Sequence, residues 1–310
     1  MKRKILVTGG TGFVGKNLIN SLSSKYEVTL ADLRNNSISF YEEDYFGIIH
    51  LAGIAHDFSS KFDHNTYDKI NFQLTCDVYN HFAKSNVAFF LFVSSIKAVA
   101  DISINPLDEN TDARPSTNYG ISKLKAENYI VNNCKNLNKS VYIFRPSMIH
   151  GEGNKGNLNS LYSLVKTKLP WPLGKFENKR SFCSVNNFVF AVNEFLENSN
   201  NIENGIYHIC DDKSISTNDL ISILGKVSNR KILFLPIPKS VILTLLKICD
   251  FLHLSFIPSN FYKLTSNFES SNVKLKRAIG KDLPLTAEEG LTITFESFNN
   301  KRLKQPNGDI

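Results

Sequence analysis

The sequence predicts an α/β protein with a doubly wound parallel sheet. Three observations predict it. Short apolar runs alternate with stretches of helical periodicity from Ile5 to Pro146, a glycine-rich turn joins the first run to the first helix, and the runs end in small or polar residues. The first run, Ile5-Leu6-Val7, reads as a short buried strand, and Phe13, Val14, Leu18, Ile19 and Leu22 recur behind it at helical spacing. Between them lies Thr8-Gly9-Gly10-Thr11-Gly12-Phe13-Val14-Gly15. Two registers of G-x-G-x-x-G fit: Gly10, Gly12, Gly15 and Gly9, Gly12, Gly15. In either one, glycine allows a tight turn and close approach of a pyrophosphate. The helix start then offers unpaired N–H groups to the anion. Glu27-Val28-Thr29-Leu30-Ala31 reads as a second strand, closed by Asp32, 22 residues after Gly10. A carboxylate there accepts hydrogen bonds from an adenosine ribose, so the whole stretch points to a bound dinucleotide.

The next elements follow in order. Gly47-Ile48-Ile49-His50-Leu51-Ala52-Gly53 reads as a buried strand whose last residues leave flat backbone beside the ligand. Asp68 to Lys84 is helical, with Ile70, Leu74, Val78 and Phe82 on one stripe. Val87 to Val93 is unbroken and apolar, as a central strand covered on both faces must be, and it ends in Ser94-Ser95. Thr117 to Cys134 is a helix carrying Tyr119 and Lys123, and Val141 to Phe144 is a strand terminated by Arg145-Pro146. Beyond Pro146 the pattern changes. Gly151 to Gly156 is a polar loop and Pro170-Trp171-Pro172-Leu173-Gly174 is rigid and turn-like, as in a smaller unit built on the sheet. Asn299 to Ile310 is polar, a loosely ordered tail.

With 310 residues, 42% hydrophobic and 21% charged, the chain is a soluble globular protein of one large domain or two interleaved ones. Its net charge of +7 reads as spread along the chain, with one loose cluster at Lys274, Lys276, Arg277 and Lys281. No basic-aromatic array argues for nucleic acid. Five scattered cysteines with no C-x-x-C argue against a disulfide framework and a metal site, and fit a reducing, cytoplasmic compartment. The apolar stretch Val241 to Leu254 is too short to span a bilayer, and a buried helix is its default reading, with a membrane-surface helix the minority one.

Tyr119-Gly120-Ile121-Ser122-Lys123 places a phenol and an ammonium one turn apart. A phenol ordinarily titrates near 10, and a lysine cation beside it favours phenolate. Tyr119 would then exchange a proton with a substrate hydroxyl or carbonyl while a nicotinamide exchanges hydride, Lys123 would also hold the nicotinamide ribose, and Ser95 would hydrogen-bond the same oxygen. Alone, Y-x-x-x-K is an ordinary surface pair. It gains meaning from the glycine turn, Asp32 and the strand-end serine.

These segments together resemble the extended short-chain dehydrogenase/reductases, and more narrowly the NAD-dependent epimerase/dehydratase family acting on nucleotide sugars. The resemblance is carried by the glycine turn, His50-Leu51-Ala52-Gly53, Ser94-Ser95 and Tyr119-x-x-x-Lys123. It continues through Arg145-Pro146, Gly151-Glu152-Gly153, Arg180-Ser181-Phe182 with Val185, and Thr286 to Leu291. It implies a Rossmann domain over 1–148, rejoined by about 181–210, and a substrate-binding domain over about 149–180 and 211–300, with 301–310 as the tail. It implies catalysis by Ser95, Tyr119 and Lys123, and no metal. NAD is the implied cofactor, with NADP open. Gly9, Gly12, Phe13, Val14, Gly15, Asp32, Leu51, Ala52, Gly53, Asn71 and Pro146 would hold it together with Tyr119 and Lys123. Lys97, Asn157, Leu158 and Arg180 fall on the nucleotide-sugar side, the substrate being UDP-linked. It also implies a homodimer through Asp68 to Lys84 and Thr117 to Cys134.

Two departures narrow this. Ile96-Lys97 stands where the family's 4,6-dehydratases carry an acidic pair, which argues against dehydration. Only 17 residues separate Asp32 from His50, too few for the usual strand and helix, with Ile38-Ser39-Phe40 a remnant. Asp32 favours NAD over NADP, and Arg34 softens that preference. The local segments favour a 4-ketoreductase of a UDP-4-keto-6-deoxy-HexNAc in surface-polysaccharide synthesis. The alternatives are a UDP-hexose or UDP-HexNAc 4-epimerase and a non-catalytic dinucleotide-binding protein.

Overall fold

The strands are β1 (Lys4–Thr8), β2 (Glu27–Ala31), β3 (Gly47–His50), β4 (Phe89–Val93), β5 (Ser140–Pro146), β6 (Met148–His150), β7 (Phe182–Ser184) and β8 (Gly205–Ile209). The computed structural model describes residues 2–31, 33, 44–54, 63–135, 137–154, 156–167, 169–251, 261–262 and 264–303. Six strands form one parallel sheet in the order β2-β1-β3-β4-β5-β8, and β6 pairs with β7 alone. The neighbours of β1 lie on opposite sides of it, so the strand order reverses there. A crevice opens at the C-terminal ends of such strands.

Alternation along the strands explains why both faces are covered. Ile5, Val7, Phe89 and Leu91 join one core, with α1 (Phe13–Leu22), α6 (Val185–Glu197) and α9 (Val273–Ile279) supplying its helical side. Leu6, Phe90 and Phe92 point the other way, into a core shared with α3 (Leu74–Lys84) and α4 (Asn118–Asn133). A short α2 (His64–Tyr67) and a π-helical segment (Asp68–Gln73) run directly into α3. The predicted strands and helices up to Pro146 are therefore present, and the π segment is the local feature their periodicity does not announce.

A third core is built by α5 (Asn157–Lys166), α7 (Thr217–Val227), α8 (Lys239–Phe251) and α10 (Ala287–Leu303), around Trp171 and Phe261. Here α8 departs from its default reading. Ile242 and Leu246 are buried, but Val241, Leu243, Leu245 and Ile248 are 48%, 42%, 56% and 49% exposed. The charge also departs from an even spread. Residues 157–180 and 217–264 hold eleven Lys and Arg against three Asp and Glu, an excess of eight in a chain whose total is +7. The basic cluster near α9 is locally tied down instead. Lys274 donates to the Ile206 carbonyl at 2.8 Å, and Lys276 and Lys281 pair with Asp282 and Glu194. Asp32, Arg34 and Ile38-Ser39-Phe40 lie outside the described residues.

Candidate active site

The glycine turn settles into one register. Gly9 adopts φ +69°, and a Cβ there would meet the Ala52 nitrogen at 2.6 Å. Its carbonyl accepts from Gly12 N–H at 3.2 Å, closing the turn. Gly12 then caps α1 without any side-chain hydrogen bond. Gly15 lets α1 press against Gly10, whose Cα a Cβ would meet at 2.5 Å. Gly9 and Gly15 are thus the positions where packed backbone leaves no room for a Cβ, and Gly12 opens α1 as an N–H array with no side-chain cap, open to an anion. Phe13 and Val14 are half-buried against the first core. The Phe13 ring sits under the 151–153 loop, within 3.5 Å of where a Gly153 Cβ would stand.

Strand β3 delivers Leu51, Ala52 and Gly53 to the same place. Leu51 N–H bonds the Thr8 carbonyl at 3.2 Å, and Ala52 N–H the Thr8 hydroxyl at 3.2 Å. That hydroxyl lies 2.7 Å from His50 Nδ1, and His50 Nε2 lies 3.0 Å from the Thr75 hydroxyl. Burial lowers the His50 pKa to about 3, with the nearby Lys123 charge adding to the effect, so this imidazole is neutral. Asn71, in the π segment, accepts from Ile54 N–H at 2.8 Å and donates to the Ile54 carbonyl and the Ser122 hydroxyl, each at 3.2 Å. It therefore ties the loop after β3 to the helix bearing Tyr119.

That helix, α4, is held by Thr117, whose hydroxyl accepts from Gly120 N–H at 3.2 Å. A side chain at Gly120 would run into the Lys97 carbonyl, so glycine lets α4 close on the turn after β4. The result is contact between the Ser95 hydroxyl and the Tyr119 phenol. Tyr119 is half-buried, with its ring edge against Tyr67 at 6.2 Å. Lys123 is buried. Its ammonium donates to the Val93 carbonyl at 3.0 Å, lies 4.8 Å from the Phe92 ring centre, and would be 3.3 Å from a Gly53 Cβ. Serine, phenol and ammonium thus gather at the ends of β3 and β4, beside the glycine turn.

One expectation needs correcting. Lys123 is not among the groups that shift Tyr119. Burial raises the phenol, and the Ser95 hydrogen bond works against that rise. Burial also lowers Lys123 to about 8, opposed by the Glu127 carboxylate one further turn along α4. The sequence reading named Tyr119 and Lys123 but missed Glu127, although the three share one spacing. Glu127 is fully buried and receives Arg145 Nε at 3.1 Å and Nη2 at 2.6 Å, plus the Ser94 hydroxyl. The pair locks α4 to the ends of β4 and β5. Pro146, next to Arg145, is buried in β5 opposite Ile209.

Two residues beyond Ser95, Lys97 donates to the Asp101 carbonyl at 2.8 Å and lies 4.3 Å from the Phe268 ring centre. Burial lowers its pKa, Asp101 raises it, and the Arg180 charge lowers it again. Lys97 and Arg180, 83 residues apart, are therefore electrostatic neighbours. Burial lowers Arg180 as well. Asn157 is exposed at the start of α5, which has no side-chain cap. The Leu158 side chain is consumed by the third core, so only its backbone is left for a ligand. Among the described residues no cluster of His, Cys, Asp or Glu is arranged to hold a metal.

A dinucleotide-binding α/β protein with a serine–tyrosine–lysine site defines a class. The sequence profile of the NAD-dependent epimerase/dehydratase family matches residues 5–210, and the chain belongs to that family. It is 27% identical to a UDP-glucose 4-epimerase of Vibrio cholerae, covering 96% of each chain. It is 25% identical to an Escherichia coli dTDP-4-dehydro-6-deoxyglucose reductase, over 74% of this chain and 83% of the other. The structure of a UDP-glucuronic acid 4-epimerase from Bacillus cereus in complex with NAD superposes with a TM-score of 0.74 at 19% identity, covering 97% of this chain and 100% of that one. At that identity the superposition speaks for the fold alone. The chain is accordingly an NAD-dependent nucleotide-sugar enzyme of the epimerase/reductase type, with a Rossmann-like fold.

Proposed function

We propose that this protein oxidises and re-reduces C4 of a UDP-linked hexose or N-acetylhexosamine, with inversion at C4 as the net reaction. The observation that carries this reading is the contact of the Ser95 hydroxyl with the Tyr119 phenol, beside buried Lys123 and the uncapped start of α1. The near full-length likeness to a UDP-glucose 4-epimerase supports inversion as the outcome. The glycine turn fits a dinucleotide, because the space a Gly12 side chain would take is open and the N–H array behind it lacks a cap. NAD bound there supplies the hydride acceptor. Tyr119 passes the C4 hydroxyl proton, and Ser95 holds that hydroxyl in line. Lys123 holds the nicotinamide ribose from between Val93 and Gly53. Arg180 and Lys97 place two positive charges toward the substrate diphosphate, and Arg180 suits it through its planar fork. The 149–180 and 211–300 segments form the substrate-binding part, and helices 68–84 and 117–134 pair in a homodimer.

A second reading is a 4-ketoreductase of a UDP-4-keto-6-deoxy-HexNAc. One observation favours it: burial raises the Tyr119 phenol, against the Ser95 hydrogen bond, and so favours the form that donates to a carbonyl oxygen as it is reduced. One experiment separates the two. Purified protein is incubated with UDP-glucose, UDP-GlcNAc and a UDP-4-keto-6-deoxy-HexNAc, with and without NADH. Inversion of either of the first two without NADH supports epimerisation. Turnover of only the keto sugar, and only with NADH, replaces it by the reductase.

A further inference from the structure

An exposed apolar stripe lies within the segments of the chain richest in positive charge. Val241, Leu245 and Ile248 stand at i, i+4 and i+7 of α8, so they share one side of the helix, about half exposed. Ile242 and Leu246, on an adjoining side, are sunk in the third core, so the fold itself holds the stripe outward. Lys239 and Lys247 are on the same helix. The segments of the chain that carry it, 157–180 and 217–264, hold eleven Lys and Arg against three Asp and Glu. Nearby in the chain, Lys226, which pairs with Glu288 at 3.2 Å, lines a surface depression with Arg230 and Lys231, and Leu233 next to them is 66% exposed.

We propose that α8 docks this protein onto an anionic lipid bilayer surface. An interfacial helix sinks its apolar side to the boundary of headgroups and acyl chains and leaves lysines among the headgroups, and the stripe and its lysines match that division. No helix among the described residues is long and apolar enough to cross the membrane, so the docking is peripheral. Charge separates this occupant from a second copy of the chain. Two copies meeting stripe to stripe bring together two segments of like charge excess, with Lys239 and Lys247 of each α8, whereas anionic lipid neutralises them. The inference is independent of the sugar and of the net reaction, because it uses no residue of the active site.

The test is sedimentation of the full chain with vesicles of phosphatidylglycerol and phosphatidylcholine, and with phosphatidylcholine alone. Binding is expected to the anionic vesicles, weakening steeply as salt rises. Each half-exposed aliphatic side chain contributes about fivefold, so a Val241→Asp, Leu245→Asp, Ile248→Asp variant loses about a hundredfold in partitioning. A Lys239→Glu, Lys247→Glu variant keeps the stripe, and its loss of at least about tenfold on anionic vesicles reads the charge alone, whatever the triple variant does to folding. NAD binding by both variants reports the rest of the fold. Failure of the wild-type chain to sediment with anionic vesicles at low salt overturns the proposal. So does a concentration-dependent dimer that the triple variant abolishes while vesicle binding stays unchanged. Loss of activity toward UDP-sugars would refute the reaction proposed above and leave this result untouched.

Discussion

Two alanines in the same turn should have opposite consequences. Gly9 sits at φ +69°, and a Cβ would stand 2.6 Å from the Ala52 nitrogen and 2.8 Å from its Cα. The left-handed conformation costs a non-glycine residue about 1–2 kcal/mol. Moving packed backbone to relieve the overlap costs about 1–3 kcal/mol more. Gly9→Ala should therefore destabilise the fold by about 2–5 kcal/mol, a large share of a typical total of about 5–15 kcal/mol. At about 1.5 °C per kcal/mol for a chain of 310 residues, the melting temperature falls by about 3–8 °C. Gly12 has φ −72°, and the nearest atom to a Cβ is the Gly9 carbonyl oxygen at 3.4 Å. Gly12→Ala should hold its stability to within about 1 kcal/mol. Its methyl group nevertheless occupies the open approach to the α1 N–H array, so NAD affinity should fall at least about tenfold. Thermal melts and calorimetric NAD titrations read the two effects separately. Unchanged NAD affinity in Gly12→Ala would refute a pyrophosphate seat on this turn. Unchanged stability in Gly9→Ala would refute the tight packing of Gly9 on Ala52.

Further outcomes follow from the buried charges. Glu127→Gln strands the buried Arg145 guanidinium and should cost about 3–5 kcal/mol in urea unfolding. It should also move any alkaline loss of activity to lower pH, because the carboxylate that supports the Lys123 charge is gone. His50 and His208 are each lowered from 6.5 to about 3, by burial first and by Lys123 and Arg145 respectively. Between about 3 and 6.5 the unfolded chain binds more protons than the folded one. Their contribution to stability is whole above 6.5 and erodes as pH falls through that window, as unfolding measured from pH 7 to 4 should record. Arg180→Met should raise the KM for a UDP-sugar about tenfold or more and leave NAD affinity unchanged.

The glycine register shows how far the sequence is legible. Spacing alone left Gly9 and Gly10 equivalent, because both fit the same pattern. The left-handed φ of Gly9 and the approach of Ala52 backbone separate them, and no local sequence rule encodes either. Tyr119 and Lys123 were legible because one helical turn brings i and i+4 together whatever the surroundings. The electrostatics between them was not, since the Lys123 ammonium is turned to the Val93 carbonyl by packing against β4. Glu127 carried a signal that went unread, a third member of the same spacing, because a buried carboxylate makes sense only once Arg145 on β5 is seen beside it. Helix α8 was read as buried from its apolarity. The average of an apolar run does not say that one side meets a core and another meets solvent. The charge asymmetry of 157–180 and 217–264 is in the sequence itself, and a total of +7 does not show it.

The central claim is that the Tyr119 oxygen carries the proton at C4 of the sugar. The most direct test is single-turnover kinetics of Tyr119→Phe with NAD bound. The expected rate is lower by about a hundredfold to ten-thousandfold at saturating NAD. A variant that turns over UDP-sugar at the wild-type rate would contradict it.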